Sequence, residues 1–207
     1  MTIQEVYNEF AEVCSASEKA IKEVTKAHYS TNDDLLLIRE LTIKQSFLAI
    51  FTGWEHFLEN SMIAYVLDES NISGFQPKRY VFPVNKEHAD KIIKGNANYP
   101  DWSDIKLVRE MAERLFEDGQ PFLTALNGIN SVYTEIKKVR NVIVHNSIKS
   151  KADFDTLVRT ALNASSVGIT PTDFLLSKKG SQPKFYKLYI DHLMNAANII
   201  CNYSPEI

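Results

Sequence analysis

Cysteine, glycine and proline are all scarce in this chain: among 207 residues there are two Cys, seven Gly and seven Pro. The two thiols, Cys14 and Cys201, stand near opposite ends of the sequence, in no Cys-x-x-Cys pair and at no useful spacing from histidine. Neither a disulfide framework nor a zinc site is indicated, and both read as core thiols. So few Gly and Pro leave little room for the tight turns that a β-rich chain needs. There is also no hydrophobic run near the roughly 18 residues that a membrane span requires; the best stretch, SFLAIFTGW, is too short. The opening MTIQEVYNEF has no apolar core of a secretory signal, so a soluble, cytoplasmic protein with no membrane partner is expected. No His-Glu-x-x-His, carboxylate-rich loop, Walker or dinucleotide glycine motif appears, so neither a metal nor a cofactor is expected.

What is present is helical spacing. With 44% hydrophobic residues the chain can bury a substantial core, and a single domain over 1–207 is the default, two compact lobes being the other arrangement this length allows. Ile3, Val6, Phe10, Val13, Ala20, Ile21 and Val24 recur every three or four positions behind a Thr-x-x-Glu capping box, which predicts a first helix over 3–27. The caps at 30–34 predict a second, reaching Asp68 and some 50 Å long at 1.5 Å per residue. Its apolar stripe includes Phe47, Phe51, Trp54, Phe57 and Tyr65.

Residues 69–102 collect much of the Pro and Gly and read as an irregular insertion, with a short hairpin around Tyr80–Phe82 and a short helix near 86–94. Helices are then expected over 103–117, from Pro121 through Ile143, from a capped start in the segment 150–154, and from Pro183 onward. ITPTDF and KKGSQP read as loop between the last two. The expected architecture is all-α, a bundle of four main helices plus shorter ones.

Charge is unevenly distributed. Residues 1–120 carry 13 Lys or Arg against 20 Asp or Glu, and residues 121–207 carry 10 against 6, so a balance of −7 is followed by +4. The overall −3 argues against a strongly basic nucleic-acid binder, while the basic part is compatible with a local phosphate-facing surface.

Within that part lies KKVRNVIVHNSI, residues 137–148. On an ideal helix with Ile136 at zero, the apolar residues fall between about 300° and 60°, and Arg140 falls near 40°, inside that arc. A guanidinium cannot be neutralised, so it needs an open rim or an anionic partner. Asn141 and His145, four apart, lie near 140° and 180°, on the face away from the core. Arg140 and His145 are therefore about 140° apart. Their convergence requires a distorted last turn, the reach of the arginine, or a second copy of the motif across an interface. The structural alternative is an arginine paired with a carboxylate at the rim and a solvated histidine near a helix C-terminus.

RNVIVHN resembles the Arg-x4-His motif, with a polar residue after the Arg, of the HEPN superfamily of α-helical domains. Trp54 and Glu55 on the long second helix are similar to the aromatic-Glu pair of that family. The resemblance covers most of the helical core and leaves 69–120 unexplained. It implies an HEPN-like helical bundle and a metal-independent endoribonuclease with an RNA substrate, working as a homodimer whose two motifs face each other across the dyad, in a toxin, phage-defence or RNA-processing role. Under it Arg140 stabilises the scissile phosphate, His145 is general base or acid, and Asn141 orients the histidine or donates to phosphate. Glu55 supports Arg140, and Lys137 and Lys138 bind substrate. An antitoxin or regulatory protein is an implied partner. Where paired toxins carry a modifiable Tyr two residues after the His, this chain has Ser147, so control by that particular antitoxin is not expected.

Two other readings stand beside this one: a non-catalytic HEPN module that binds a nucleotide, RNA or protein, and an unrelated helical protein in which RNVIVH is coincidental. Of the other histidines, His192 reads as a hydrogen-bonded core residue, His56 as exposed, His28 as the end of the first helix, and His88 as a residue of the insertion flanked by Glu87 and Asp90.

Overall fold

A computed structural model describes residues 1–26, 33–95, 100–163 and 165–205. Among them the chain is all-helical, with no named strand. The elements are α1 (Ile3–Lys26), α2 (Asp33–Val66), α3 (Lys86–Lys94), α4 (Ile105–Leu115), a single 3-10 turn (Glu117–Gly119), α5 (Phe122–His145), α6 (Ile148–Leu162), α7 (Pro171–Leu176) and α8 (Phe185–Cys201). No helix among the described residues is long and apolar enough to cross a membrane. His28 and the expected cap positions 30–32 lie outside the described residues.

The chain divides into two compact units. The first comprises Met1–Ala11, Gly53–Asn130 and Leu193–Ile207. Its core is aromatic: the Trp54 ring lies 5.7 Å from Phe10 and 5.4 Å from Phe57, and Tyr65 meets Phe116 and Phe122 edge-on at 6.4 and 5.9 Å. The buried Tyr65 hydroxyl donates to the Ile200 carbonyl at 2.7 Å, which satisfies the polar tip of an otherwise apolar ring. After α2 the backbone turns at Asp68 (φ 81°), and Arg79 closes the end by donating to the Val66 carbonyl at 2.9 Å and pairing with Asp68 at 2.5 Å. Gly119 sits at φ 64°, where a Cβ would stand 2.5 Å from Leu123 Cδ1, so a side chain in this turn into α5 would be strained.

The second unit comprises Glu12–Thr52 and Ser131–His192. Phe174 stacks on Phe185 at 4.4 Å, Phe185 continues to Tyr189 at 5.9 Å, and Tyr189 to Phe47 at 6.4 Å. Phe51 packs nearly parallel to Tyr133 at 6.0 Å. The Tyr189 hydroxyl donates to Glu135 at 3.0 Å, and Lys187 bridges Glu18 at 3.2 Å and Asp191 at 2.7 Å. The first turns of α2 contribute nothing to this core: Leu36, Leu37, Ile38 and Leu41 are 42 to 54% exposed.

Three expectations are corrected. The hairpin around Tyr80–Phe82 does not form; Arg79 makes an isolated antiparallel bridge with Phe116, far along the chain. Pro83 offers no N–H to a ladder there, and the extended segment pairs with the end of α4 instead. The helix placed in the segment 150–154 begins at Ile148, because Ser147 rather than Ser150 is its cap. The loop through ITPTDF contains α7: Thr170 and Asp173 form a complete capping box around Pro171 at the first helical positions. The short helix over 86–94 forms as expected, capped by Asn85.

Candidate functional site

α5 carries the three motif residues, and its inner face fixes their rotation. Tyr133, Ile136 and Val139 are at most 2% exposed, which turns the neighbouring Arg140 to the edge of the packed face. The half-buried guanidinium is accommodated by an aromatic surface: it lies over the Phe51 ring, 5.5 Å from its centroid. The negative face of the ring favours the cation by about 0.5–1 kcal/mol at a partly exposed position.

From that platform Arg140 Nη1 reaches along the helix to His145 Nε2 at 2.9 Å and donates to Asn141 Oδ1 at 3.2 Å. The 140° separation expected for a straight helix is thus closed by the length of the arginine within one chain, while α5 remains helical to His145. Because a guanidinium has donors only, the contact is a hydrogen bond in the tautomer with the lone pair on Nε2 and the ring proton on Nδ1. Asn141 is brought to the arginine, its carbonyl oxygen accepting from Nη1.

The position of His145 follows from how α5 stops. Asn146 takes a left-handed conformation at φ 46°, tolerable for asparagine, and Ser147 at once caps α6, its Oγ accepting from the Ser150 N–H at 3.2 Å. Two residues therefore join the two helices, and His145 is left exposed at the corner. Ser147 is a helix cap.

The remaining site residues are placed as follows. Lys137 and Lys138 are half-buried on α5. Asp153 on α6 is held below the usual carboxylate range, chiefly by the hydrogen bond from Lys149 at 2.7 Å, and the Lys138 charge adds to the effect. Glu55 is half-buried on α2, in the first unit. Beside it Trp54 is fully buried in the aromatic core. His56 and His88 are exposed, and His88 Nδ1 accepts from the Val84 N–H at 3.4 Å. His192 is half-buried. Cys14 and Cys201 are buried, and burial pushes each thiol up to about 12.

Sequence reasoning missed Phe51 as part of the site. It was read only as one residue of an apolar stripe, yet an arginine inside an apolar arc needs a surface that tolerates its charge, and an aromatic on the neighbouring helix is the signal to seek. Among the described residues no group of three His, Cys, Asp or Glu side chains is placed to hold a metal ion. No family model, curated protein or solved structure matches the chain.

Proposed function

We propose that the chain is an HEPN-type, metal-independent endoribonuclease. One observation carries the reading: Arg140 and His145, the two residues of the Arg-x4-His motif, meet at 2.9 Å at an exposed helix corner. An arginine fork beside an imidazole is the pair of groups that phosphodiester transesterification calls for, one for phosphate charge and one for a proton. When a phosphate occupies the site, the Nη1 donor moves from His145 Nε2 to a non-bridging oxygen. The freed lone pair then takes the 2′-OH proton as O2′ attacks phosphorus. The 5′-oxygen leaves and takes a proton from water while the imidazolium returns its proton to solvent, giving a 2′,3′-cyclic phosphate and a 5′-hydroxyl. Asn141 steadies the guanidinium through Oδ1, and Phe51 supports it from below.

The reading includes a second copy of the chain. Leu36, Leu37, Ile38 and Leu41 on α2, Val144 beside His145 at 47% exposure, and Ile148 at 92% are all exposed in the unit that holds the motif. Side chains of this size stabilise an interface by roughly 1.5–3 kcal/mol each when fully covered. The homodimer, the HEPN-like bundle, an RNA substrate and a regulatory protein partner belong to the same proposal, as does a toxin, phage-defence or RNA-processing role.

The test is cleavage of RNA by the purified chain in EDTA, with the product ends identified. Cyclic phosphate ends are expected, and His145→Ala should lower the rate by roughly 10²–10⁴. Undiminished cleavage by that variant would sink the nuclease assignment. The alternative of a non-catalytic module draws on the same contact, because Arg140 occupies the nitrogen a base would use; it is favoured if RNA binds without turnover.

A further inference from the structure

A cavity of about 330 Å³ that the mechanism does not use is lined by residues from the end of α5, from α6 and from α2. This is at the small end of the range for small-molecule sites, roughly 300–1,000 Å³, and suits one nucleotide rather than a duplex. Ile143, Phe154, Ile169 and Pro171 contribute its apolar lining. Around it stand Lys44, Asn146, Lys151 and Asp155, and Asn146 is the residue peptide-bonded to His145.

The polar groups around this cavity are arranged unlike their neighbours. Lys149 and Asp153 on α6 close into an ion pair at 2.7 Å. Lys151 and Asp155 have the same four-residue spacing on the same helix, yet among the described residues they form no ion pair with each other. Both line the cavity instead. Lys151 is exposed and Asp155 is half-buried, and a cation and a carboxylate thus line one cavity without pairing with each other. Lys44, half-buried and hydrogen-bonded to Glu40, adds a second ammonium on the opposite helix.

We propose that this cavity is a base-reading subsite for the RNA strand, holding the nucleotide next to the one cleaved. The proposal rests on the ribonuclease reading for its substrate. The apolar lining residues take the face of a base, and Lys44 and Lys151 take a phosphate. Asp155 can only accept hydrogen bonds when ionised, so it selects a base that presents amino or imino donors together. Guanine satisfies this with N1–H and the 2-amino group, and cytosine and adenine each offer one amino group. Uracil offers no amino group. Asn146, which lines the cavity, is the residue after His145, so the cavity and the motif share the α5–α6 corner.

The experiment uses the full chain carrying His145→Ala, so that no turnover interferes, and measures equilibrium binding of 5′-GMP and 5′-UMP by calorimetry. GMP should bind about tenfold tighter or better, the discrimination that a two-bond contact to a base edge supplies. Asp155→Asn should remove the preference, and Lys151→Glu should weaken both nucleotides alike. GMP should also displace a fluorescent single-stranded RNA from the same chain, which separates a strand subsite from a site for free nucleotide. Equal binding of the two nucleotides, a preference that survives Asp155→Asn, or RNA undisturbed by saturating GMP would each overturn the proposal. Circular dichroism of the two variants, whose changed residues lie outside the buried core, confirms that a lost preference is not lost fold. Failure of the nuclease reading shows elsewhere, as absence of cyclic phosphate ends with the unmodified chain, and leaves the GMP measurement standing.

Discussion

Arg140→Lys separates two things that the motif arginine supplies, its charge and its shape. Lysine keeps the charge, but its side chain is one bond shorter, roughly 1.3 Å. The arginine places Nη1 2.9 Å from His145 Nε2 while its plane rests on Phe51. A lysine in the same rotamer stops about 4 Å from Nε2, beyond any hydrogen bond. It also lacks the planar fork that lets one end stack and the other donate. If the arginine stabilises developing phosphate charge through directed donors, the loss is that of a preorganised donor, about 2.7–4 kcal/mol or 10²–10³ in rate. The assay is single-turnover cleavage of a fluorogenic RNA in EDTA. A structural readout accompanies it: the imidazole nitrogen spectrum of His145 should show the Nδ1–H form in the parent chain and lose that preference in the variant. Losing the ring contact alone costs about 0.5–1 kcal/mol, so the fold should persist. A variant that retains activity within threefold of the parent, or an unchanged His145 spectrum, would refute the reasoning.

Other perturbations follow from the same structure. Ile148→Asp and Leu37→Asp place charges on exposed apolar positions and should shift a dimer to monomer in light scattering with the helical content unchanged; a monomeric parent chain would remove the second copy from the proposal. Cys14 and Cys201 ionise in the folded chain only near pH 12, against an ordinary value of 9.0, so they should resist thiol reagents at pH 8 until the protein unfolds. The sign of the linkage is fixed by those raised values. The unfolded state loses these protons first, so the stabilisation is complete below pH 9 and is lost as pH rises toward 12. Denaturant titrations at pH 8, 9.5 and 10.5 test this, and a Cys14→Ala, Cys201→Ala double variant should show a shallower decline.

The helices were legible in the sequence wherever the apolar period ran unbroken. α1 and α2 end within about two residues of their expected limits, because capping residues and the stripes of Phe10, Phe47 and Trp54 leave one solution. The sequence was least informative where a partner far along the chain decides the conformation. Arg79 pairs with Phe116, which no local pattern around Tyr80 reveals. α7 was missed for another reason: six residues are too few for a period, and only the Thr170–Asp173 cap marked it. At the candidate site, the sequence identified Arg140 and His145 and the angle between them. The angle left three devices open and the resemblance pointed to a second copy of the motif, whereas the contact forms within one chain through a flexible side chain resting on an aromatic ring of another helix.

The two-residue joint between α5 and α6 has a thermal consequence. Terminal turns open at a lower free-energy cost than the body of a packed helix, and His145 is the last residue of its helix. The capped start of α6 at Ser147 is what holds the corner against such opening. Under the proposed ribonuclease reading, catalytic competence should therefore melt locally, with activity on short RNA falling several degrees below the calorimetric transition of the whole chain. Hydrogen exchange near Val144 and His145 should speed up over that same interval, so the working temperature of the site is set by a two-residue corner and a single serine cap rather than by the aromatic cores.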